Sequence, residues 1–406
     1  MTYEFDFVVI GANGMQGKIV AKDLLASGHR VLLAGTDDYG LDSILEHKKS
    51  EFAQIDLRKM DRVKRILKKS GASVVVNCAI DDFALSVTQA CLDLGISYVD
   101  LGSDEEMTYD QFNLSKAFKE KKITGITGMG STPGINNVML RHVKPKFDTI
   151  ETVELGFAWN SNMKVFVPPF SIDCIAWEFA TNAKVLENGK FVERAPEDCK
   201  LDYDYRGIGK QRTYYTPHIE PFTFYPYLKD MGVKNIAVFS SFPDHSRETI
   251  LKLMELGFTK YGPDTRIEVE GTTMDPLDAT LEILRRIPLP KGYKEKENIW
   301  LKVFGTKNGK QKLIEMDALT TTLPGWEDAT CNIDTGMPVS ITAQMIKDGR
   351  ISEHGMFAPE FVVPTMEFFA ELGKRKIWVY ENGIKINSPS MIHQYQSDKT
   401  AQRVRA

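Results

Sequence analysis

The chain is poor in cysteine, and its five thiols (Cys78, Cys91, Cys174, Cys199 and Cys331) are scattered, odd in number and without a C-x-x-C pair. This excludes a disulfide framework, gives no structural zinc site, and fits reduced thiols in a cytoplasmic protein. No apolar run is long enough to cross a bilayer, and no basic, apolar, small-residue leader opens the chain, so no membrane role is expected. There is no excess of positive charge. Lys and Arg total 51 against 55 Asp and Glu, a net charge of −4, and nucleic acid is not an expected partner. No His/Cys/Asp cluster has metal spacing and no G-x-S-x-G elbow occurs, so no metal site is expected and hydrolase chemistry finds no support. What is present is 406 residues, enough to bury a large core in two domains.

The first thirty-odd residues organise the rest. Phe5–Ile10 is a short apolar run that breaks into Gly11-Ala12-Asn13-Gly14-Met15-Gln16-Gly17. Residues 18–26 then place Ile19, Val20, Leu24 and Leu25 on one helical face, Gly28 stops the helix, and Val31–Ala34 is a second strand. Strand, glycine turn, helix and strand make a βαβ unit. The spacing is G-x-x-G-x-x-G, and it calls for a tight turn at Gly11, backbone approach to a phosphate at Gly14 and close helix–strand packing at Gly17. The helix N-terminus suits a pyrophosphate. Asp37 follows Gly17 by twenty positions, where a carboxylate would hold a ribose hydroxyl.

Strands and helices keep alternating as far as Thr127, with strands expected at 52–56, 73–77, 97–101 and 123–127. This is the pattern of a doubly wound parallel sheet of Rossmann type. Ligands sit at the carboxyl ends of such strands. The expected cofactor residues are therefore Gly11, Asn13, Gly14, Met15, Gln16, Gly17, Thr36, Asp37, Asp38, Asp56, Asn77, Cys78, Ala79, Asp100, Gly102 and Gly130. From Glu151 to Trp326 the sequence is rich in aromatic and β-branched runs, with strands expected at 152–159, 235–241, 265–272, 300–305 and 311–316. An Asn308-Gly309 turn joins the last two. This reads as a second, α+β domain with a mostly antiparallel sheet. The polar stretch 384–406 reads as a solvated tail.

Val75-Val76-Asn77-Cys78-Ala79, Tyr98-Val99-Asp100-Leu101-Gly102 and Gly128-Met129-Gly130-Ser131-Thr132-Pro133-Gly134-Ile135-Asn136 together resemble the saccharopine dehydrogenase family. Thr335-Gly336-Met337-Pro338-Val339 and Ala358-Pro359-Glu360 resemble its C-terminal motifs. Within the family the chain looks closest to the lysine 6-dehydrogenase-like branch, because Thr132 stands where saccharopine reductases carry an Asp. The resemblance implies a dinucleotide-binding domain over 1–137, completed by C-terminal helices in 326–375, and a substrate-binding and dimerisation domain over 138–325. It implies a homodimer and NAD(P)-dependent oxidoreduction at the C–N bond of an amino acid or amine. The alternatives are a reductase that condenses an amine with an oxo-acid, and a cofactor-binding sensor without turnover. NAD is expected over NADP, since Asp37 or Asp38 would repel a 2′-phosphate. Phe170 and Ser171 fall in the segment that the family uses to line the substrate. His218 and Lys210 are the candidate proton acceptors, beside Thr132 at the sixth-strand turn, and Arg212 and Tyr215 are candidate substrate contacts, Arg212 for a carboxylate.

Overall fold

Strand β1 (Phe7–Ile10) is apolar and buried at every position, as a central parallel strand covered on both faces must be. It pairs with β2 (Val31–Gly35) on one side and β4 (Val74–Asn77) on the other, Phe7 lying opposite Val31 and Val74. β3 (Ser50–Gln54), β5 (Ser97–Asp100) and β6 (Thr124–Ile126) extend the sheet, all strands parallel, in the order β3-β2-β1-β4-β5-β6. The computed structural model describes residues 4–391 apart from Ser103, Pro169, Lys200 and the side chains of Asp173 and Arg285. The end of the expected tail, 392–406, lies outside the described residues.

The second sheet is built on β7 (Thr149–Ser161), with β8 (Ala183–Glu187), β9 (Lys190–Arg194), β10 (Asp202–Tyr205), β11 (Gly209–Tyr215) and β12 (Asn235–Ser241) on one side. After a small hairpin, β13 (Ile267–Val269) and β14 (Thr272–Met274), the long β15 (Glu295–Lys307) and β16 (Lys310–Thr321) complete the other side. β12 runs parallel to β7 and the other pairings are antiparallel. The chain then returns to the first sheet. β17 (Gly355–Phe357) pairs parallel with β6 as a seventh strand. β18 (Trp378–Glu381) joins β16 in the second sheet, and β19 (Ile384–Lys385) joins β18.

The structure differs from the sequence reading at three places. The stretch 183–215 forms four strands in two hairpins, β8–β9 and β10–β11. A strand expected over 265–272 is instead a hairpin turning at Glu270-Gly271, both with positive φ. Residues 384–387 are not tail: buried Asn387 donates to the carbonyls of Phe369 and Ile377 and accepts from Val379 N–H.

The returning helix Ile333–Lys347 packs on the first sheet against the first helix. Gly336 lies so close to Ile19 that an added Cβ would sit 2.5 Å from its Cγ2. Beneath this contact Asp23 is buried, and accepts from Ser340 at 2.6 Å and from both ends of the Arg375 guanidinium at 2.7 and 2.9 Å. A buried charge is tolerated only when paired in this way.

In the second sheet, residues directly opposite one another share a face. Phe157, Trp159, Glu297, Ile299, Ala318 and Thr320 therefore look toward the first domain. Phe239, Trp300 and Asp317 look outward.

Candidate active site

The carboxyl ends of β1, β2, β4, β5 and β6 open onto one crevice. At its floor the chain turns at Gly11, with φ +73, and the helix Met15–Ala26 begins after Gly14 with no side-chain cap. A Cβ on Gly17 would lie 2.1 Å from Gly11 O, and one on Gly11 would lie 2.8 Å from the backbone of Cys78 and Ala79. Only glycine permits this closeness, and it leaves the helix N–H groups turned to the crevice. At the end of β2 Asp37 is exposed and held by Asn13 Nδ2 at 3.1 Å, Thr36 Oγ1 at 3.0 Å and Tyr39 N–H at 3.0 Å. The Tyr39 amide, then the two side chains, hold its carboxyl below the usual carboxylate range. A dinucleotide fits this cradle: Gly11–Gly17 would take the pyrophosphate and Asp37 the adenosine ribose.

Asn77 and Asp100 turn inward. Asn77 donates to Tyr98 OH at 3.2 Å and accepts from Ala79 N–H at 3.2 Å. Asp100 accepts from Tyr98 OH and Gln111 Nε2 through one oxygen, and from the amides of Gly102 and Gly128 through the other. Both therefore act as positioning residues, tying the ends of β4, β5 and β6 into one rim. Burial pushes the Cys78 thiol up to about 12, so it stays neutral there. Asp56 is paired with Arg58 at 2.9 and 3.1 Å. Gln16 donates to Asn332 at 3.3 Å and keeps its other amide atom buried without a partner.

The turn Gly128–Gly134 closes the crevice beyond the ends of β5 and β6. Gly130 N–H donates to Pro133 O, and Ser131 meets the Thr335 hydroxyl at 3.1 Å. Thr132 donates to Asn136 Oδ1 at 2.5 Å, and Asn136 donates to Trp300 O at 2.8 Å, anchoring the turn in the second sheet. Gly134 N–H donates to Asn137 Oδ1, whose amide in turn donates to Glu360 at 2.8 Å.

Over this turn stands a buried group that the sequence reading only half identified. Ile219 packs at Gly128, where a Cβ would be 3.5 Å from its Cδ1. Its neighbours His218 and Glu220 are therefore beside the turn. His218 Nε2 lies 3.4 Å from Glu178 Oε1, and Nδ1 lies 3.7 Å from Glu220 Oε2. Phe157 stacks on the imidazole at 6.3 Å. Burial opposes charge on His218, but the hydrogen bond to Glu178 and the negative charge of Glu220 at 3.7 Å outweigh it and raise its pKa to about 10. Burial raises Glu178, and it raises Glu360 to about 7, with Glu220 adding like charge to both. Both carboxylate oxygens of Glu220, and one each of Glu178 and Glu360, are buried without a hydrogen-bond partner.

The other expected site residues divide. Phe170 packs on Phe157 and Phe242, close to this group, and Ser171 precedes the helix Ile172–Ala180 that carries Glu178. Lys210 and Arg212 stand exposed on the edge hairpin β10–β11, both paired with Asp202, Arg212 at 2.7 Å. The Tyr215 ring packs on Phe239 at 5.0 Å, on the outer face and so across the sheet from His218. Glu178, Glu360 and Asn136 were not anticipated as site residues. Glu360 lay inside a quoted motif, and Glu178 gave no signal because its helix reads as an ordinary apolar one.

Comparison with known proteins agrees with this architecture. Residues 7–126 match the family model described as the saccharopine dehydrogenase NADP binding domain, and residues 130–377 the saccharopine dehydrogenase C-terminal domain. Among curated relatives, carboxynorspermidine synthase of Vibrio alginolyticus is 23% identical over 333 residues, 78% of this chain and 79% of that protein. Carboxyaminopropylagmatine dehydrogenase of Synechocystis sp. is 23% identical over 390 residues, 90% of this chain and 95% of that protein. Saccharopine dehydrogenase (L-Glu forming) from Saccharomyces cerevisiae shares the fold at a TM-score of 0.72, with 14% identity over 93% of this chain and 99% of its own. Homospermidine synthase from Legionella pneumophila, solved with NAD, gives 0.68, with 10% identity over 94% and 92%. Among the described residues no helix is long and apolar enough to cross a membrane. With family models matched on both sides of the crevice, the chain belongs to the saccharopine dehydrogenase family and is an NAD(P)-dependent oxidoreductase.

Proposed function

We propose that the enzyme forms a C–N bond reductively, joining an amine to a carbonyl compound, in preference to oxidative deamination of lysine. The observation that carries this reading is the buried Glu178–His218–Glu220 group beside the Gly128–Gly134 turn. An amine enters as a cation, and the unpartnered carboxylate oxygens of Glu178 and Glu220 offer it acceptors. Its nitrogen gives a proton to a carboxylate oxygen of Glu178 or Glu220 and attacks the carbonyl carbon, and loss of water leaves a C=N bond. A reduced nicotinamide dinucleotide held by the Gly11–Gly17 turn and Asp37 would supply the hydride for that carbon. His218 holds the proton that the nitrogen gains, and the walls of Phe157, Phe170 and Phe242 keep water from the imine. The two curated relatives, one named a synthase and one a dehydrogenase of a carboxylated amine, support the condensing reading over the lysine one. The test is oxidation of NADH or NADPH by the purified chain with a panel of diamines and aldehyde- or oxo-acids, beside the reverse assay with lysine and NAD⁺. Consumption of reduced cofactor only when amine and carbonyl are both present supports the proposal. Turnover of lysine alone overturns it.

We propose NAD as the preferred cofactor, on the ionised Asp37 at the end of β2. We also propose the expected homodimer, through the outer face of the second sheet. There Tyr203, Tyr205, Trp300 and Lys302 line an open groove of about 560 Å³. Sedimentation at a monomer's mass would refute it.

A further inference from the structure

The helices Asp244–Glu255 and Pro276–Arg285 both lie on the helix Ile172–Ala180, which carries Glu178. Their far side is uncovered. The first of them runs out into Leu256, Phe258 and Tyr261, all exposed. The Phe258 carbonyl accepts from Thr280 Oγ1 at 2.8 Å, which sets this turn against the second helix. From there Ile283 and, just past the helix end, Ile287 lead on, both exposed. Beside the turn stands the hairpin β13–β14, two strands with no sheet neighbour. Asp275 anchors its base, accepting from Gly262 N–H at 2.9 Å and facing Arg266 at 3.6 Å. Ile267 lies opposite Met274 and Val269 opposite Thr272, so Ile267 and Val269 share one face, and both are exposed. A lone hairpin is marginal in water and gains stability from a surface to lie on.

Counted with Leu289, eight apolar side chains here are between 39 and 69% exposed. At on the order of 150 Å² each in full, they leave roughly 600 Å² of apolar surface in water. That is at the upper end for the largest patch on a monomer, about 300–600 Å². It is close to the share that one partner buries in an ordinary interface, about 800 Å² with its polar rim. Charge selects the partner. Residues 252–291 hold seven acids and six bases, a balance that attracts neither nucleic acid nor an anionic membrane. Among the described residues, Glu268 and Glu270 on the hairpin have no ion pair, and neither have Lys260 and Lys291 beside the helices. A face with an acidic apolar ribbon and a basic apolar ridge is complementary to itself about a twofold axis.

We propose that this face docks on the same face of a second copy, the hairpin β13–β14 of each chain lying on the Phe258–Ile283 ridge of the other. The contact is separate from the dimer contact on the outer face of the second sheet. Its helices stack on the one that brings Glu178 to His218, and His218 lies against Phe157 of the inner face. Used together, the two twofold contacts close into a tetramer. The new contact also backs the helix Ile172–Ala180 through its two supporting helices, and so holds Glu178 against His218. That consequence rests on the His218 reading; the docking itself does not.

Sedimentation velocity of the full chain tests this with the parent, Ile283→Glu on the ridge and Val269→Glu on the hairpin, both at exposed positions. Titration with NAD⁺ checks that each variant is folded. The expected result is a parent of four copies and variants of two. A parent of two copies with variants of one supports this contact and overturns the outer-face one. Variants that keep the mass of a multimeric parent overturn the proposal and leave the outer-face contact in place. A monomeric parent overturns both contacts. If one variant loses its affinity for NAD⁺, the other decides the matter.

Discussion

Glu220→Gln should change the titration of a residue other than itself. His218 is buried between two carboxylates at 3.4 and 3.7 Å. At an effective dielectric of about 20, one such pair is worth about 4 kcal/mol, and one pKa unit is about 1.4 kcal/mol, so each carboxylate can raise the imidazole by roughly three units. Burial works against them, and the net result is a rise from 6.5 to about 10. Replacing Glu220 by its amide keeps the shape and removes one of the two charges. The midpoint of His218 should then fall by roughly two to three units, to near neutrality. The Cε1 proton of His218, assigned among seven histidines by its loss in His218→Gln, reports this directly in NMR. The linkage has a definite sign. A raised pKa adds stability that is complete below pH 6.5 and is lost as pH rises through about 10. In Glu220→Gln the window should close near neutral pH instead of near 10, so little stability is left to lose at higher pH. Titration of His218 near 6.5 in the parent, or a midpoint that Glu220→Gln leaves in place, refutes the reasoning.

Asp37→Ala should shift the NAD:NADP affinity ratio several-fold toward NADP, because an ionised carboxylate repels the 2′-phosphate; fluorescence titration with both cofactors checks this, and an unmoved ratio sinks the assignment. Gly17→Ala should abolish cofactor binding, since its Cβ would meet Gly11 O at 2.1 Å, and retention of parental affinity would show that the turn can yield. Asn136→Ala removes the donor to Trp300 O and strands Thr132, at a cost of about 1–3 kcal/mol in chemical denaturation. Arg212→Ala should leave KM within about twofold, because Arg212 stands exposed on an edge hairpin in a solvent-screened pair with Asp202; a selective rise for carboxylate-bearing substrates would return Arg212 to the site.

The first domain was legible because its signals are local. Apolar runs of strand length, glycine turns and amphipathic helices each declare themselves within a dozen residues, and the parallel order follows from their alternation. β17 was not legible. It is three residues long, and it belongs to the first sheet only because the chain returns from the second domain. The same holds for the site. Asp37 could be found from its distance to Gly17, which is set by one βαβ unit. His218 could be noted as a histidine, but its partners come from a helix forty residues earlier and from its own helix start. Lys210 and Arg212 drew notice by their chemistry, yet strand alternation and an edge position place them beside Asp202. The unlike fates of His218 and Arg212 depend on which residues face inward on a sheet whose pairings span more than a hundred residues.

The protonation state of the crevice ties these features together. Glu178, Glu220 and Glu360 lie on one side of the Gly128–Gly134 turn, and Glu295, Glu297 and Asp334 on the other. One imidazolium, His218, offsets them. Burial and mutual repulsion therefore make the acids retain protons: Glu360 is raised to about 7, Asp334 to about 8, and Glu297 well above its ordinary value. A site that must hold protons to stay folded around so many carboxyls is one that a cation completes. When an ammonium displaces such a proton, the carboxylate regains a partner without leaving the low-dielectric interior, and the group that was costly to bury becomes the group that binds. The number of buried acids beside the turn thus argues for an amine.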